Sequence, residues 1–288
     1  MKKKGSLAQR KMIVGWMFIL PALICLLVMI VWPFIKGLGM AFNVDEGISL
    51  KNFLRMKKDP NLKNAIQNTL IFVVANFMTL VLALFMAAVL QQKDIKGKGI
   101  FRTLLFVPCS MSLVSYSTIF KLMFTNNGLF NNIMMSLGLR DEAFNFFGNV
   151  AWARAIIMIC VTWRWAGYNM VLYSAGLANI DEDIYDAAEL DGAVGLKGFW
   201  HISMPLIRPI ILLTTITTLN GALNIMDEIM QLTEGAPANK TLSIGIHIYK
   251  TAFAGKANLD YASAMAVVLM AVVVIGSLLQ MKVGDKRD

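Results

Sequence analysis

Charge is what this sequence has least of. Only 16% of its 288 residues are Asp, Glu, Lys or Arg, 57% are apolar, and the mean hydropathy is +0.61. That balance excludes an ordinary water-soluble domain and predicts an all-α membrane protein. Histidine is scarce as well. His201 and His247 stand alone, neither with a second histidine or a carboxylate at helical ligand spacing, so a structural role is expected of each and a metal site of neither. The three cysteines, Cys25, Cys109 and Cys160, form no disulfide framework and no metal spacing, and small apolar packing is the role expected of them. No G-x-x-x-x-G-K-[ST] phosphate loop occurs, which argues against nucleotide hydrolysis by this chain. The apolar stretches hold neither paired aspartates nor a Ser/His pair, so intramembrane proteolysis is not expected and the chain reads as a non-enzyme.

What is present is a series of long uncharged runs, at 12–35, 68–90, 103–120, 209–226 and 261–281. Each is near or above the ~18 residues that carry a helix across hydrocarbon at ~1.5 Å per residue. A sixth run, 151–177, contains Arg154 and Arg164. Six transmembrane helices are therefore expected. The first run is too long for a cleavable signal core and is followed by no A-x-A-like site, so it reads as a retained anchor.

The net charge of +9 raises the question of nucleic acid, but cations flanking membrane spans account for it, and no basic stripe interleaves with exposed aromatics. Lys2, Lys3, Lys4, Arg10 and Lys11 precede the first span. The next loop carries six cations, Lys36, Lys51, Arg55, Lys57, Lys58 and Lys63, so these two segments alone leave orientation open. The loop between spans two and three and the C-terminal tail add seven more on the N-terminal side, against four in the later opposite loops. That balance favours both termini in the cytoplasm.

Six of the 18 acids fall between positions 181 and 191. The local pattern is two short helices joined by a tight turn. Asp181 is a plausible N-cap, with Glu182 and Asp183 in a first turn where the helix dipole favours negative charge. Ile184, Ala187, Ala188 and Asp191 follow at i, i+3, i+4 and i+7, a narrow face with two alanines in its middle. Gly192 supplies the left-handed conformation that ends the first helix. Leu196, Phe199, Trp200 and Ile202 form a second apolar face before Pro205 and Pro209.

The run YDAAELDGA (185–193), followed by FWHI (199–202) and MPLIRP (204–209), resembles the EAA loop of the permease subunits of binding-protein-dependent ABC importers. Asp186 stands where that motif usually has glutamate. Further stretches resemble the same family in order: FILPALICLLVMIVWPFI, LKNFLRMKKDPNLKNAIQNTLIF, FRTLLFVP, GLFNNIM and LTEGAPANKT. The last matches a pattern written T-x-G-G-P…T with Ala236 in place of one glycine. The pattern is most similar to carbohydrate-importer permeases of the maltose and glycerol-3-phosphate type.

The resemblance implies the type I importer permease fold: a short cytoplasmic tail over 1–11, a six-span domain over 12–282 with a cytoplasmic coupling loop at 181–204 between spans four and five, and a tail at 283–288. It implies a bacterial cytoplasmic-membrane location and a sugar or oligosaccharide as cargo. The implied partners are a second permease, an extracellular solute-binding protein and an ATPase dimer that holds ATP and magnesium, with no cofactor in this chain. Tyr185, Asp186, Ala187, Ala188, Asp191, Gly192, Phe199 and Trp200 become candidates for ATPase docking, and Gly235, Ala236 and Pro237 for binding-protein contact. From the residues themselves, Trp163, Arg164, Trp165, Tyr168 and Asn169 in span four and Asn220 and Asn224 among the threonines of span five are pathway candidates, because hydrocarbon penalises polar groups that face it. Bonds between helices are the competing role for the amides and hydroxyls. Arg164 requires an anion: Asp227 or Glu228, an interfacial phosphate, or an anionic cargo such as a sugar acid or a glycerol-3-phosphate-like solute. An ion-coupled carrier is the remaining alternative, weakened by the lack of carboxylates within the runs.

Overall fold

In hydrocarbon every backbone N–H and C=O must find its partner inside the chain, and the uncharged runs have folded into helix over most of their length. The structure, a computed structural model, describes residues 7–43, 47–91 and 95–284, which form helices and no strands. Lys2, Lys3, Lys4, Lys93, Lys286 and Arg287, counted above for orientation, lie outside the described residues.

Four continuous spans are present: Lys11–Ala41, Pro60–Gln91, Val150–Ala178 and Leu259–Gly284. The first consists of α1 (Leu7–Leu26) and α2 (Trp32–Ala41), joined by a π-helical turn at Leu27–Val31. That turn precedes Pro33, whose ring would press on the carbonyl one turn back; the wider turn, in which the Trp32 N–H reaches the Leu27 carbonyl, relieves it. Pro21 sits inside α1. After α3 (Lys51–Met56) come α4 (Pro60–Gln91) and the third span, which is broken: α5 (Lys98–Ser110) and α6 (Leu113–Met123) meet at 101°. The run 103–120 is therefore not one rod. Pro108 removes a donor from the last turn of α5, and Met111 and Ser112 adopt extended backbone.

Beyond α7 (Leu129–Ser136) and the long α8 (Val150–Ala178), the acidic loop folds as α9 (Glu182–Leu190), α10 (Gly195–Gly198), a π-helical turn at Phe199–Ser203 and α11 (Met204–Leu206). The helical stretch Leu196–Leu206 turns through 72° into α12 (Arg208–Leu223). With the two bent pairs counted as spans, the expected six are present. The fifth ends at Leu223, earlier than the run 209–226, and the chain continues as α13 (Asp227–Leu232), α14 (Ile244–Phe253) and α15 (Leu259–Gly284).

Two compact units divide these elements. The first comprises the described part of Met1–Lys58 with Lys250–Val268. In it α3 is pinned to the end of α2 by Phe42 against Phe53, ring centroids 5.0 Å apart, and by the Asn52 amide donating to Asn43 Oδ1 at 2.5 Å. Arg55 stacks on Tyr261 at 4.5 Å. No residue of the first span's most apolar stretch is buried.

The second unit, Asp59–Tyr249 with the chain from Leu269, holds the core. Small residues set its helix spacing. Ala83 and Ala87 of α4 are fully buried, and a Cβ on Gly167 of α8 would stand 1.8 Å from the Leu105 carbonyl oxygen of α5. One apolar cluster gathers Phe72, Tyr116, Phe120, Ile156 and Ile229; a second gathers Ala87, Met170, Tyr173, Leu177 and Ile207. Buried polar groups pair across helices: Thr79 with Thr162 at 3.0 Å and Tyr173 with Thr214 at 2.7 Å. His247 does not stand alone. Its Nε2 lies 2.8 Å from Oδ2 of Asp59, whose other oxygen accepts from Asn61 and Leu62 N–H groups at the start of α4. The pair joins residues 188 apart, beyond any local spacing, and the role is structural as expected. Cys160 is buried and packs; Cys25 is exposed, so the packing role expected of it is not realised within this chain.

Gly167→Val tests the α5–α8 approach. Its side chain would enter the space of a backbone carbonyl, which cannot rotate away, so a loss of about 1–3 kcal/mol is expected, read as a lower thermal midpoint of the purified chain. An unchanged midpoint would show that the two helices separate freely.

Candidate coupling loop and translocation pathway

The acidic loop is built by its caps. Asp181 accepts the Asp183 N–H at 3.2 Å, leaving Glu182 and Asp183 in the positively poled first turn of α9. At the other end Gly192 takes φ +69°; its N–H reaches the Glu189 carbonyl at 3.0 Å, and the Ala193 N–H reaches the Ala188 carbonyl at 2.8 Å. These are the two bonds of a Schellman closure, and the second requires the left-handed residue. Tyr185 bonds Ser203 across the turn at 3.0 Å, tying α9 to the return segment.

The loop's faces differ from expectation in one respect. Ala188 is buried while its neighbour Ala187 is exposed, because adjacent helical residues point about 100° apart. The two alanines thus do not form one outward face. Phe199 packs inward beside Tyr173 and Leu177, whereas Trp200 is 60% exposed; Asp186, Asp191 and Gly192 are also exposed. One outward group was missed, Leu190, which is 90% exposed; Leu196, expected on the second apolar face, is 78% exposed. The available signal was a leucine in the last turn of a helix otherwise lined with acids.

In α8 successive side chains point to different places. Trp163 lies 5.1 Å from the Phe120 ring and lines an open groove of about 440 Å³ with Leu82, Met86, Leu105 and Met158. Trp165 and Tyr168 meet edge to face at 5.7 Å and are exposed. Asn169 is buried and donates to its own helix at the Trp165 carbonyl, 2.9 Å. In α12 Asn224 donates to Oδ1 of Asn220 at 2.8 Å, and both are exposed together with Thr217 along a stripe spaced i, i+3, i+7. Thr214 and Thr215 bond within the protein.

Arg164 sits midway along α8. Its guanidinium lies 5.0 Å from the Tyr116 ring and 5.8 Å from Trp165, and its Nε and Nη1 are buried without a hydrogen-bond partner. Tyr116 donates to Glu228 at 3.4 Å. Of the two acids considered for Arg164, Asp227 is exposed and Glu228 buried. Glu228 lies in α13, past the end of the fifth span; burial pushes its carboxyl up from the ordinary value, and the guanidinium opposes that shift.

The segment Gly235, Ala236, Pro237 joins α13 to α14. Gly235 is buried at φ +90°, and a Cβ there would meet Leu242 at 2.5 Å. Ala236 is exposed with an ordinary negative φ, which explains why alanine is accepted where the resembling pattern has glycine. Thr241 donates to the Ala236 carbonyl at 2.7 Å, and the Asn68 amide of α4 donates to the carbonyls of Lys240 and Leu242 at 2.9 and 2.7 Å. The loop is thereby fastened to a span.

Six helical spans, a capped loop projecting between the fourth and fifth, and polar side chains left facing outward from the spans define a membrane-embedded transport subunit. The chain belongs to the family described as binding-protein-dependent transport system inner membrane component, whose model matches residues 62–287. It is 36% identical to the lactose transport system permease protein LacF of Rhizobium radiobacter over 99% of this chain and 98% of that one. It shares its fold with a chain of a bacterial ABC transporter involved in the import of the acidic polysaccharide alginate, with a TM-score of 0.87 at 23% identity over 97% of each chain. A second structure, of the bacterial alginate ABC transporter in complex with alginate pentasaccharide-bound periplasmic protein, matches equally, at 0.87 and 22% identity over 96% of each chain. The chain is thus a transporter permease subunit, and the ion-coupled carrier is set aside.

Glu228→Gln keeps the shape and removes the carboxyl that Tyr116 bonds beside Arg164. Breaking a buried contact pair costs ~3–5 kcal/mol; with Tyr116 intervening, a loss of roughly 2 kcal/mol is expected. Arg164→Met combined with Glu228→Leu should recover most of the lost thermal midpoint. A Glu228→Gln chain as stable as its parent would mean that Arg164 relies on another anion.

Proposed function

We propose that this chain forms half of the translocation pathway for a neutral sugar or oligosaccharide, with a second related permease as the other half. An extracellular solute-binding protein delivers the cargo, and two ATPase subunits, which hold ATP and magnesium, dock on the acidic loop. Both termini and that loop face the cytoplasm. The observation that carries the reading is the loop itself: a doubly capped helix, locked by Gly192 and the Tyr185–Ser203 bond, presenting Leu190, Leu196 and Trp200 to water. Exposed apolar side chains held on a rigid element fit a docking surface better than a solvated link.

Alternating access follows from rigid-body motion. Nucleotide-driven closure of the ATPase dimer pulls on α9; the Tyr185–Ser203 bond and Phe199 transmit the pull to α8 and α12, and the spans move between two packings. Asn220, Asn224 and Thr217 supply hydroxyl-matching groups on α12, and Tyr168 and Trp165 supply aromatic faces for the apolar C–H surfaces of a sugar ring. The neutral cargo is favoured because Arg164 lies over the Tyr116 ring, whose hydroxyl bonds the Glu228 carboxyl; an anionic sugar derivative is the second reading, supported by the two unpartnered guanidinium nitrogens. The sugar class is supported by the lactose and alginate systems among the relatives. Ala236 and Pro237 form the binding-protein contact, held in place by the buried Gly235.

Gly192→Val forces a branched side chain into the left-handed region at a cost of ~1–2 kcal/mol. ATPase co-purification and sugar uptake should fall at least tenfold while the amount of chain in the membrane is unchanged; normal uptake would sink the docking role. Asp186→Asn should weaken stimulation of ATP hydrolysis by the binding protein more than Asp186→Glu does, since only the former removes charge. Equal effects would assign Asp186 to packing.

A further inference from the structure

The first interspan loop carries cations that membrane insertion does not ask for. Residues 47–58 contain Lys51, Arg55, Lys57 and Lys58 and no acid. In α3 and the turn after it, Lys51, Arg55 and Lys58 follow at i, i+4 and i+7; Leu50 at the N-cap, Leu54 and Lys57 at the C-cap follow at the same spacing beside them. All four cations are exposed, and so are Leu50 and Leu54, at 60% each, and Ile48 at 82%. The opposite side of the helix is spoken for: Asn52 is buried against Asn43, Phe53 lies against Phe42, and the Ser49 N–H bonds the Phe42 carbonyl at 2.8 Å. Lys51, Lys57 and Lys58 and the leucine stripe are therefore exposed, while Arg55 between them also packs on Tyr261 of the same unit.

Height above the membrane follows from α2. Phe42, to which α3 is pinned, is seven residues past Ile35, the end of the uncharged run, so it stands about 10 Å beyond the hydrocarbon edge of a helix crossing upright. The polar layer of each leaflet is about 5–7 Å deep. Long cationic side chains at that height reach back to the phosphates, and the apolar groups beside them lower into the same layer.

We propose that α3 and its flanks are a binding surface for the phosphate headgroups of anionic phospholipids on the side of the membrane where spans one and two are joined. Four cations within eight residues, immediately beyond a span and interleaved with exposed leucines, match that chemistry in charge and position. The inference requires only that the first span crosses the bilayer and does not rest on the cargo or the ATPase.

The test uses the full-length chain equilibrated with equal amounts of phosphatidylglycerol and phosphatidylcholine, with bound lipids counted by native mass spectrometry. The parent should retain phosphatidylglycerol in at least threefold preference over a Lys51→Gln, Lys57→Gln, Lys58→Gln variant, and the corresponding Lys→Arg variant should behave as the parent. Arg55 is left in place because it packs on Tyr261. Equal ratios in parent and Gln variant, or loss in the Arg variant as well, overturn the proposal. An unchanged lipid ratio together with weaker stimulation by the binding protein would also overturn it, and would make the patch a surface for an acidic protein.

Discussion

A polar group that water cannot reach must be answered by another part of the chain, and most of this structure is an account of how that is done. Asn68 closes two carbonyls of the loop before α14, Thr79 meets Thr162, and Tyr173 meets Thr214. Each bond crosses between elements that the sequence keeps far apart, so each also fixes how two helices are placed. The rule is relaxed at the residues proposed for the pathway. Asn220 and Asn224 point outward from α12 with donors and acceptors to spare, and Arg164 keeps two buried N–H groups without a partner.

The span count, the loop and its capping residues were legible because they depend on local chemistry: run length, an aspartate before a helix, a glycine after it. The break between α5 and α6 was half legible. Pro108 marks the place, but a proline near a helix end is tolerated as often as it bends, and the 101° turn depends on extended backbone at Met111 and Ser112. The partner of His247 was invisible because Asp59 is 188 residues away. Arg164 was flagged by its depth and Glu228 named among its candidates; the choice between Glu228 and Asp227 rested on burial alone, which spacing does not encode. Leu190 was overlooked because acids dominate its helix, although its exposure exceeds that of any aromatic in the loop.

Glycine and alanine appear where motion would have to pass. Gly167 brings α8 against the backbone of α5, and Gly176 brings it against Ile210 of α12, where a Cβ would meet the Ile210 side chain at 2.3 Å. Contacts between smooth surfaces of small residues have few interlocking side chains to disengage, and such interfaces slide between discrete packings at low cost. The same helix therefore both carries the polar cluster at its middle and meets its neighbours on either side through glycines.

The exposed leucines and tryptophan of the acidic loop bear on the life of the chain in the cell. Apolar side chains held rigidly toward water are what chaperones and quality-control proteases bind, and a folded subunit that displays them resembles a misfolded one. Left uncovered, Leu190, Leu196 and Trp200 are apolar surface of that kind.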